Sequence, residues 1–281
     1  MQINQFRSLL FVPATSEHLW EKASQRGADA VVIDLEDAIP FDKKGVARAM
    51  APKAIQLLKD KGVEVILRVN SDPILWQQDL VGMPLQSLSA IMLPKVETKD
   101  QVEVFSKALT KLSNATPPPI AALLETPLGV LATAYIAGHP SLCALGFGAE
   151  DYSGAIGVHP NALALTWAAQ QVITGAHAYG LQCWGMAGSI AEVNDLVAFG
   201  KDVAFARGIG FTGSVCIHPN QVAIVNRGFS PSAEELDWAR KVVEADQAAL
   251  SKGLGAVLLE GKMIDKPIVD RARRWLAARM A

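Results

Sequence analysis

Short β-rich runs recur along this chain, each separated from the next by a helical pattern, and this recurrence constrains the fold more than any single motif. The runs are Ser8–Val12, Ala30–Leu35, Glu64–Val69, Ala90–Leu93, Ile120–Leu124, Cys143–Phe147, Gln182–Met186 and Ser214–Ile217. Parallel strands need a crossover long enough to hold a helix, so this alternation predicts βα units around a parallel sheet. Several runs are apolar on both faces, as strands between a barrel interior and an outer helix layer must be. A chain of 281 residues accommodates eight such units and an extension. The expected architecture is α/β: a (β/α)8 TIM barrel over residues 1–228 and a C-terminal helical extension over 229–281.

The ends of these runs carry the polar residues. Asp34, Glu36 and Asp37 follow the second run, Arg68 and Asn70 end the third, and Lys95 and Glu97 end the fourth. Glu125 ends the fifth and Asp151 follows the sixth. In a parallel barrel all these C-terminal ends open on one mouth. An open doubly wound sheet would also gather ligands at strand C-termini, but eight strands with contributions from many of them favour closure.

Composition excludes several classes. Half of the residues are hydrophobic and 19% are charged, which suits a large buried core rather than disorder. The net charge of −2, without a basic block, argues against nucleic acid as a partner. No apolar run is long enough to span a bilayer and no signal-peptide pattern precedes the first strand, so a cytoplasmic protein without a membrane partner is expected. Cys143, Cys183 and Cys216 lie far apart in apolar runs, with no metal-ligand spacing, and read as buried free thiols.

Beyond the eighth run, Ser232 stands three residues before Glu235, the spacing of a capping box, and predicts a helix running to about Lys252 before Gly253. A Gly-rich segment, 253–261, leads to a final helix from about Pro267. Such a tail either caps the barrel or reaches a neighbouring subunit.

Glu125 and Asp151 are the strongest candidates for chemistry. Two carboxylates on adjacent strand ends leave several positions for water or substrate, which suits Mg2+. The plainer alternative is a pair of solvated loop acids, or acids neutralised by Arg68. Gly146 and Gly148 favour the metal, because they let backbone approach a ligand. Gly148, Ala149 and Glu150, opening a helix before Asp151, would offer amides to a carboxylate. Arg68 ends an otherwise apolar strand and either pairs with acids or stabilises negative charge on a substrate. Asp34, Glu36 and Asp37 would orient metal-bound water or Arg68. Lys95 is ambiguous between these roles, His218 reads as structural, and Asp265 reads equally as an N-cap of the last helix.

Taken together, these motifs resemble the citrate lyase β-subunit-like branch of the HpcH/HpaI aldolase superfamily. The matching segments are RSLLFVP (7–13), DLEDA (34–38), RVN (68–70), LPKVE (93–97), ETP (125–127), GFGAED (146–151), CIHPNQ (216–221) and GKMIDKP (261–267). The resemblance implies a Mg2+-dependent lyase that cleaves a citryl-, citramalyl- or malyl-type thioester by a retro-Claisen reaction. Its carrier would be coenzyme A or an acyl-carrier protein. Glu125 and Asp151 would hold the Mg2+, Arg68 would stabilise the enolate, and Asp265 would match a catalytic aspartate that a neighbouring subunit supplies in a homotrimer or hexamer. The chain departs from coenzyme A-binding relatives after the first strand, where they read Val-Pro-Gly followed by lysines. Here Phe11-Val12-Pro13-Ala14 is followed by His18 and Lys22, so Phe11, His18 and Lys22 are the candidate carrier contacts and the carrier stays open. Two rival readings remain: a class II aldolase acting on a free 2-oxo-4-hydroxy acid, and a lyase-like subunit active only within a complex.

Overall fold

In the computed structural model, which describes residues 5–113, 115–251 and 253–278, the chain divides into two compact units, 1–229 and 230–281. The first unit is the expected (β/α)8 barrel. Its strands are β1 (Ser8–Pro13), β2 (Ala30–Asp34), β3 (Val65–Arg68), β4 (Ala90–Leu93), β5 (Ile120–Leu124), β6 (Leu142–Phe147), β7 (Gln182–Gly185) and β8 (Ser214–Cys216). They lie in the order β7-β6-β5-β4-β3-β2-β1-β8, and all seven pairings are parallel. A parallel bridge between Trp184 and Gly213 joins the two ends of this order. The Gly185 N–H to the Gly213 carbonyl (2.9 Å) and the Thr212 N–H to the Cys183 carbonyl (2.8 Å) complete that seam.

Strand parity builds two cores. Leu9, Ala30, Val32, Ile66, Ala90, Met92, Ala121, Leu123 and Trp184 point inward and fill the lumen. Their neighbours Leu10, Val31, Ile33, Leu67, Ile91 and Leu124 point outward beneath the helices. Both faces are buried, which is why the strands read as apolar runs rather than alternating ones. Alanines at many lumen positions leave room for Trp184 and Leu123, so the barrel is a packed core below its mouth. A register shift where β5 meets β6 leaves Cys143 as the extra residue of a bulge. All three cysteines are buried and free.

The second unit has its own small core of Ala239, Val242, Ile264, Val269 and Ala272. Ser232 and Glu235 form the expected capping box on the helix Ala233–Leu250. Lys252, where that helix was expected to stop, lies outside the described residues. The segment read from sequence as a Gly-rich connection instead contributes to a hairpin, β9 (Val257–Leu259) and β10 (Lys262–Ile264). Glu260 and Gly261 turn it with φ of 50° and 77°. Residue-Gly between two β-prone triplets is a turn signal that the sequence does carry. The last helix, Lys266–Ala278, follows directly. No helix among the described residues is long and apolar enough to cross a membrane.

Candidate active site

The inward rows of three strands end in charged residues. On β2 the row Ala30, Val32 continues to Asp34; on β3 Ile66 continues to Arg68; on β5 Ala121, Leu123 continues to Glu125. Asp34 and Arg68 are also register partners across β2 and β3. The Arg68 guanidinium donates from Nε to Asp34 Oδ1 (2.7 Å) and from Nη2 to Asp34 Oδ2 (2.8 Å), a bidentate pair. Its Nη1 lies 3.1 Å from Glu36 Oε2 and 3.3 Å from Asp37 Oδ2. The Phe11 ring underlies the guanidinium carbon at 4.7 Å. Burial works against the Arg68 charge, but the hydrogen bonds and charges of Asp34, Glu36 and Asp37 outweigh it and hold the group protonated above its ordinary range.

The acidic segment after β2 is built around Asp34, whose carboxylate accepts the N–H of Glu36 (2.9 Å) and Ala38 (3.2 Å). Lys44 Nζ pins the same turn through the carbonyls of Leu35 (2.7 Å) and Glu36 (2.6 Å). Glu36 is buried, yet neither of its carboxyl oxygens has a hydrogen-bond partner in good geometry. Burial first, then the charges of Asp37 and Glu125, push its carboxyl up to about 8 against the pull of Arg68 and Lys95.

Glu125 is also buried. Its Oε1 accepts the Lys95 N–H at 2.8 Å, and burial followed by the Asp151 charge raises the carboxyl to about 7. Asp151 stands in the first turn of the helix Ala149–Ile156, half exposed, with Lys95 Nζ 3.8 Å from its Oδ1. Lys95 Nζ also lies 3.7 Å from Glu36 and 4.0 Å from Asp37. The Lys95 backbone is left-handed, with φ of 53°, a strained state for a side-chain-bearing residue.

Two glycine expectations change. A Cβ on Gly146 would meet Leu123 Cδ2 at 2.3 Å, and one on Gly148 would meet Glu125 Oε2 at 2.4 Å. Both glycines thus make room for β5 side chains and not for backbone contact with a ligand. The Gly148 N–H, expected as a free anion donor, donates to the Leu124 carbonyl at 3.3 Å. Ala149 and Glu150 do line the cavity, and Glu150 accepts the Ser189 hydroxyl.

These residues surround a cavity of about 280 Å3, walled on its apolar side by Phe11, Met92, Phe147, Trp184 and Met186. Arg68, Glu125 and Asp151 all line it. Phe11, expected beside His18 and Lys22, is separated from them: it faces the lumen, whereas they are exposed on the helix Glu17–Ser24 and do not line the cavity. Asp265 belongs to the second unit, where its backbone carbonyl receives the N–H groups of Ile268 and Val269 at the start of the last helix. His218 accepts the Asn220 N–H (3.2 Å) in the turn after β8. Lys95 is the residue that sequence reasoning left unassigned; its backbone hand and its three acidic neighbours carry no sequence signal. Among the described residues no three His, Cys, Asp or Glu gather as a metal-ligating group; Glu125 and Asp151 line the same cavity, and the Asp151 charge acts on the Glu125 carboxyl.

Comparison with known proteins agrees with this architecture. The citrate lyase subunit beta of Escherichia coli K12 is 32% identical over 281 aligned residues, covering 96% of this chain and 92% of its own. A (3S)-malyl-CoA thioesterase of Cereibacter sphaeroides is 31% identical, covering 98% and 95%. The crystal structure of CitE from Mycobacterium tuberculosis in complex with magnesium, acetoacetate and coenzyme A superposes with a TM-score of 0.77 at 26% identity, covering 99% of both chains. Residues 7–219 match the family described as HpcH/HpaI aldolase/citrate lyase, and the chain belongs to that family.

Proposed function

We propose that this protein is a Mg2+-dependent carbon–carbon lyase. It cleaves a hydroxy-acyl thioester of the citramalyl, citryl or malyl type to an acetyl thioester and a 2-oxoacid. The observation that carries the reading is the joining, in one cavity, of a carboxylate pair, Glu125 and Asp151, with the guanidinium of Arg68. The residues fit the metal: burial and the Asp151 charge raise the Glu125 carboxyl, and a hard cation that keeps several water or substrate oxygens would relieve that repulsion. Magnesium held by Glu125 and Asp151 would polarise the oxygen that becomes the ketone of the 2-oxoacid.

The chain's own residues do the rest. Cleavage takes the proton from the hydroxyl, breaks the carbon–carbon bond and leaves the electron pair as a thioester enolate. Arg68 offsets that charge; Asp34 fixes the guanidinium plane by its bidentate grip, leaving a second Nη2 hydrogen for a substrate oxygen. The apolar wall of Phe147, Trp184 and Met186 excludes water. Asp265, carried by a neighbouring subunit of a homotrimer or hexamer, returns the proton to the enolate carbon. That role rests on the family resemblance. Mixing inactive R68A and D265A subunits tests it, because only a shared site regains activity in hybrid oligomers.

The Cereibacter relatives are thioesterases, so thioester hydrolysis is the second reading. Malyl-, citramalyl- and citryl-CoA, each with Mg2+ or with EDTA, separate the two. Carbon–carbon cleavage releases a 2-oxoacid and no free thiol, whereas hydrolysis releases coenzyme A thiol from the substrate. Cleavage that persists in EDTA, or in folded E125A and D151A variants, would overturn the metal-dependent reading.

A further inference from the structure

Lys95 has features that a carboxylate pair and an arginine leave unexplained. Among the described residues it is one of two, glycines aside, with a positive φ. Glu260, the other, turns the hairpin of the second unit, where the turn itself asks for that hand. Lys95 stands two residues beyond β4, at a position where glycine would adopt φ of 53° without steric cost. What offsets the strain is that one residue serves both members of the pair. Its backbone N–H is aimed at Glu125 Oε1 (2.8 Å), and its side chain reaches towards Asp151.

The ammonium is paired without being docked. Its distances are 3.7 Å to Glu36 Oε1, 3.8 Å to Asp151 Oδ1 and 4.0 Å to Asp37 Oδ1. All exceed the roughly 2.7–2.9 Å of a charge-assisted hydrogen bond. Burial works against its charge, but the charges of Glu36, Asp37, Asp151 and Glu125 outweigh it and hold the group protonated above its ordinary range. Lys95 is thus a lasting cation suspended among acids from separate segments. One of those acids lacks a donor: Glu36 is only 4% exposed, and its Oε1, the oxygen nearest this ammonium, has no hydrogen bond. A buried carboxyl oxygen in that state calls for a partner.

A divalent cation on Glu125 and Asp151 would be the largest charge in the mouth and would repel an ammonium that shares Asp151 with it. We propose that Lys95 is a positioning residue that stands in for the metal: its ammonium neutralises Asp151 until Mg2+ arrives and then docks on Glu36. This rests on the reading of Glu125 and Asp151 as the metal-holding pair. The left-handed backbone keeps Glu125 aimed in both states, and only the lysine side chain moves. Asp151 is released to the metal as the buried Glu36 oxygen gains its donor.

Calorimetric titration of the full chain with Mg2+ alone, at one fixed pH, tests it. Lys95→Gln removes the charge and keeps the backbone N–H. It should bind Mg2+ about tenfold more tightly, the scale on which one charge acts at this distance. Lys95→Asn, which suits the left-handed backbone, should do the same, and Lys95→Arg should stay near wild type. A lysine that merely held the carboxylates in place would, once removed, weaken binding instead. Glu36→Gln should weaken Mg2+ binding in the wild-type background and do so less beside Lys95→Gln, because the seat matters only to a lysine. Thermal melts give a second readout: in EDTA Lys95→Gln should melt about 2–4 °C below wild type, and saturating Mg2+ should close that gap. Weaker or unchanged binding by the folded Lys95 variants, or a gap that Mg2+ leaves open, overturns the proposal. Asp151→Asn judges the metal reading separately. Binding lost there, with no tightening in Lys95→Gln, removes the role of Lys95 and leaves the metal pair standing; a wild-type chain that takes up no Mg2+ overturns both.

Discussion

At the scale of the residue, the site depends on what is absent as much as on what is present. Gly148 has no Cβ, and Glu125 occupies that space, so Gly148→Ala forces an atom to within 2.4 Å of Glu125 Oε2. The glutamate must swing away from its bond to the Lys95 N–H. We expect G148A to fold with wild-type circular dichroism and to bind Mg2+ at least about tenfold more weakly by calorimetry, the scale at which misplaced metal ligands act. Unchanged affinity would detach Glu125 from the metal. The two buried carboxyls set a pH dependence whose sign follows from linkage. Glu36 and Glu125 are raised to about 8 and about 7 from an ordinary 4.5, so the folded chain holds protons that the unfolded chain has released. Metal-free stability should fall as pH rises from about 4.5 to 8, then level off. Thermal melts in EDTA check this, and E36Q should flatten the upper part of the slope. Asp34, Arg68 and Glu125 were legible in sequence because each breaks an apolar strand at its end. Lys95 was not, since nothing local marks a residue that gains its meaning from carboxylates on three other segments.

At the scale of the element, the strands were readable almost to the residue. Val, Ile and Ala runs of strand length, separated by helix-length gaps, have one economical parallel arrangement. β4 and β5 run over the expected residues, β3 is one residue shorter at each end, and the other strands differ by a residue at one end. The hairpin at 257–264 was missed because its strands are three residues long, too short for alternation to register. The glycine roles were misread for a different reason. Sequence shows that Gly146 and Gly148 leave space, but not whose atoms fill it. The seam element makes its own prediction. A Cβ on Gly213 would lie 2.4 Å from the Phe6 carbonyl oxygen and 2.6 Å from that of Arg7, both fixed backbone. G213A should therefore cost about 2–3 kcal/mol, as overpacking against immovable atoms does. Chemical denaturation that finds less than about 0.5 kcal/mol would show that the seam yields easily.

At the scale of the whole molecule, a closed barrel gives the charged mouth a rigid rim. Asp34 and Arg68 come from adjacent staves, and Glu125 and Asp151 from another adjacent pair, so mouth geometry follows barrel geometry. Closure, however, is unequal around the circumference. β1 pairs with β2 over five residues and with β8 over three, while β7 and β8 meet through a single bridge, Trp184 to Gly213. A cylinder with one lightly stitched seam has a preferred line along which to unroll. The lowest-energy opening of this protein should part β7 from β8 while β2 to β5 stay paired, in the manner of a foldon. In native-state exchange the amides of Thr212 and Gly185, which hold that seam, should then lose their protons well before those of Ile33, Leu67 and Ala122.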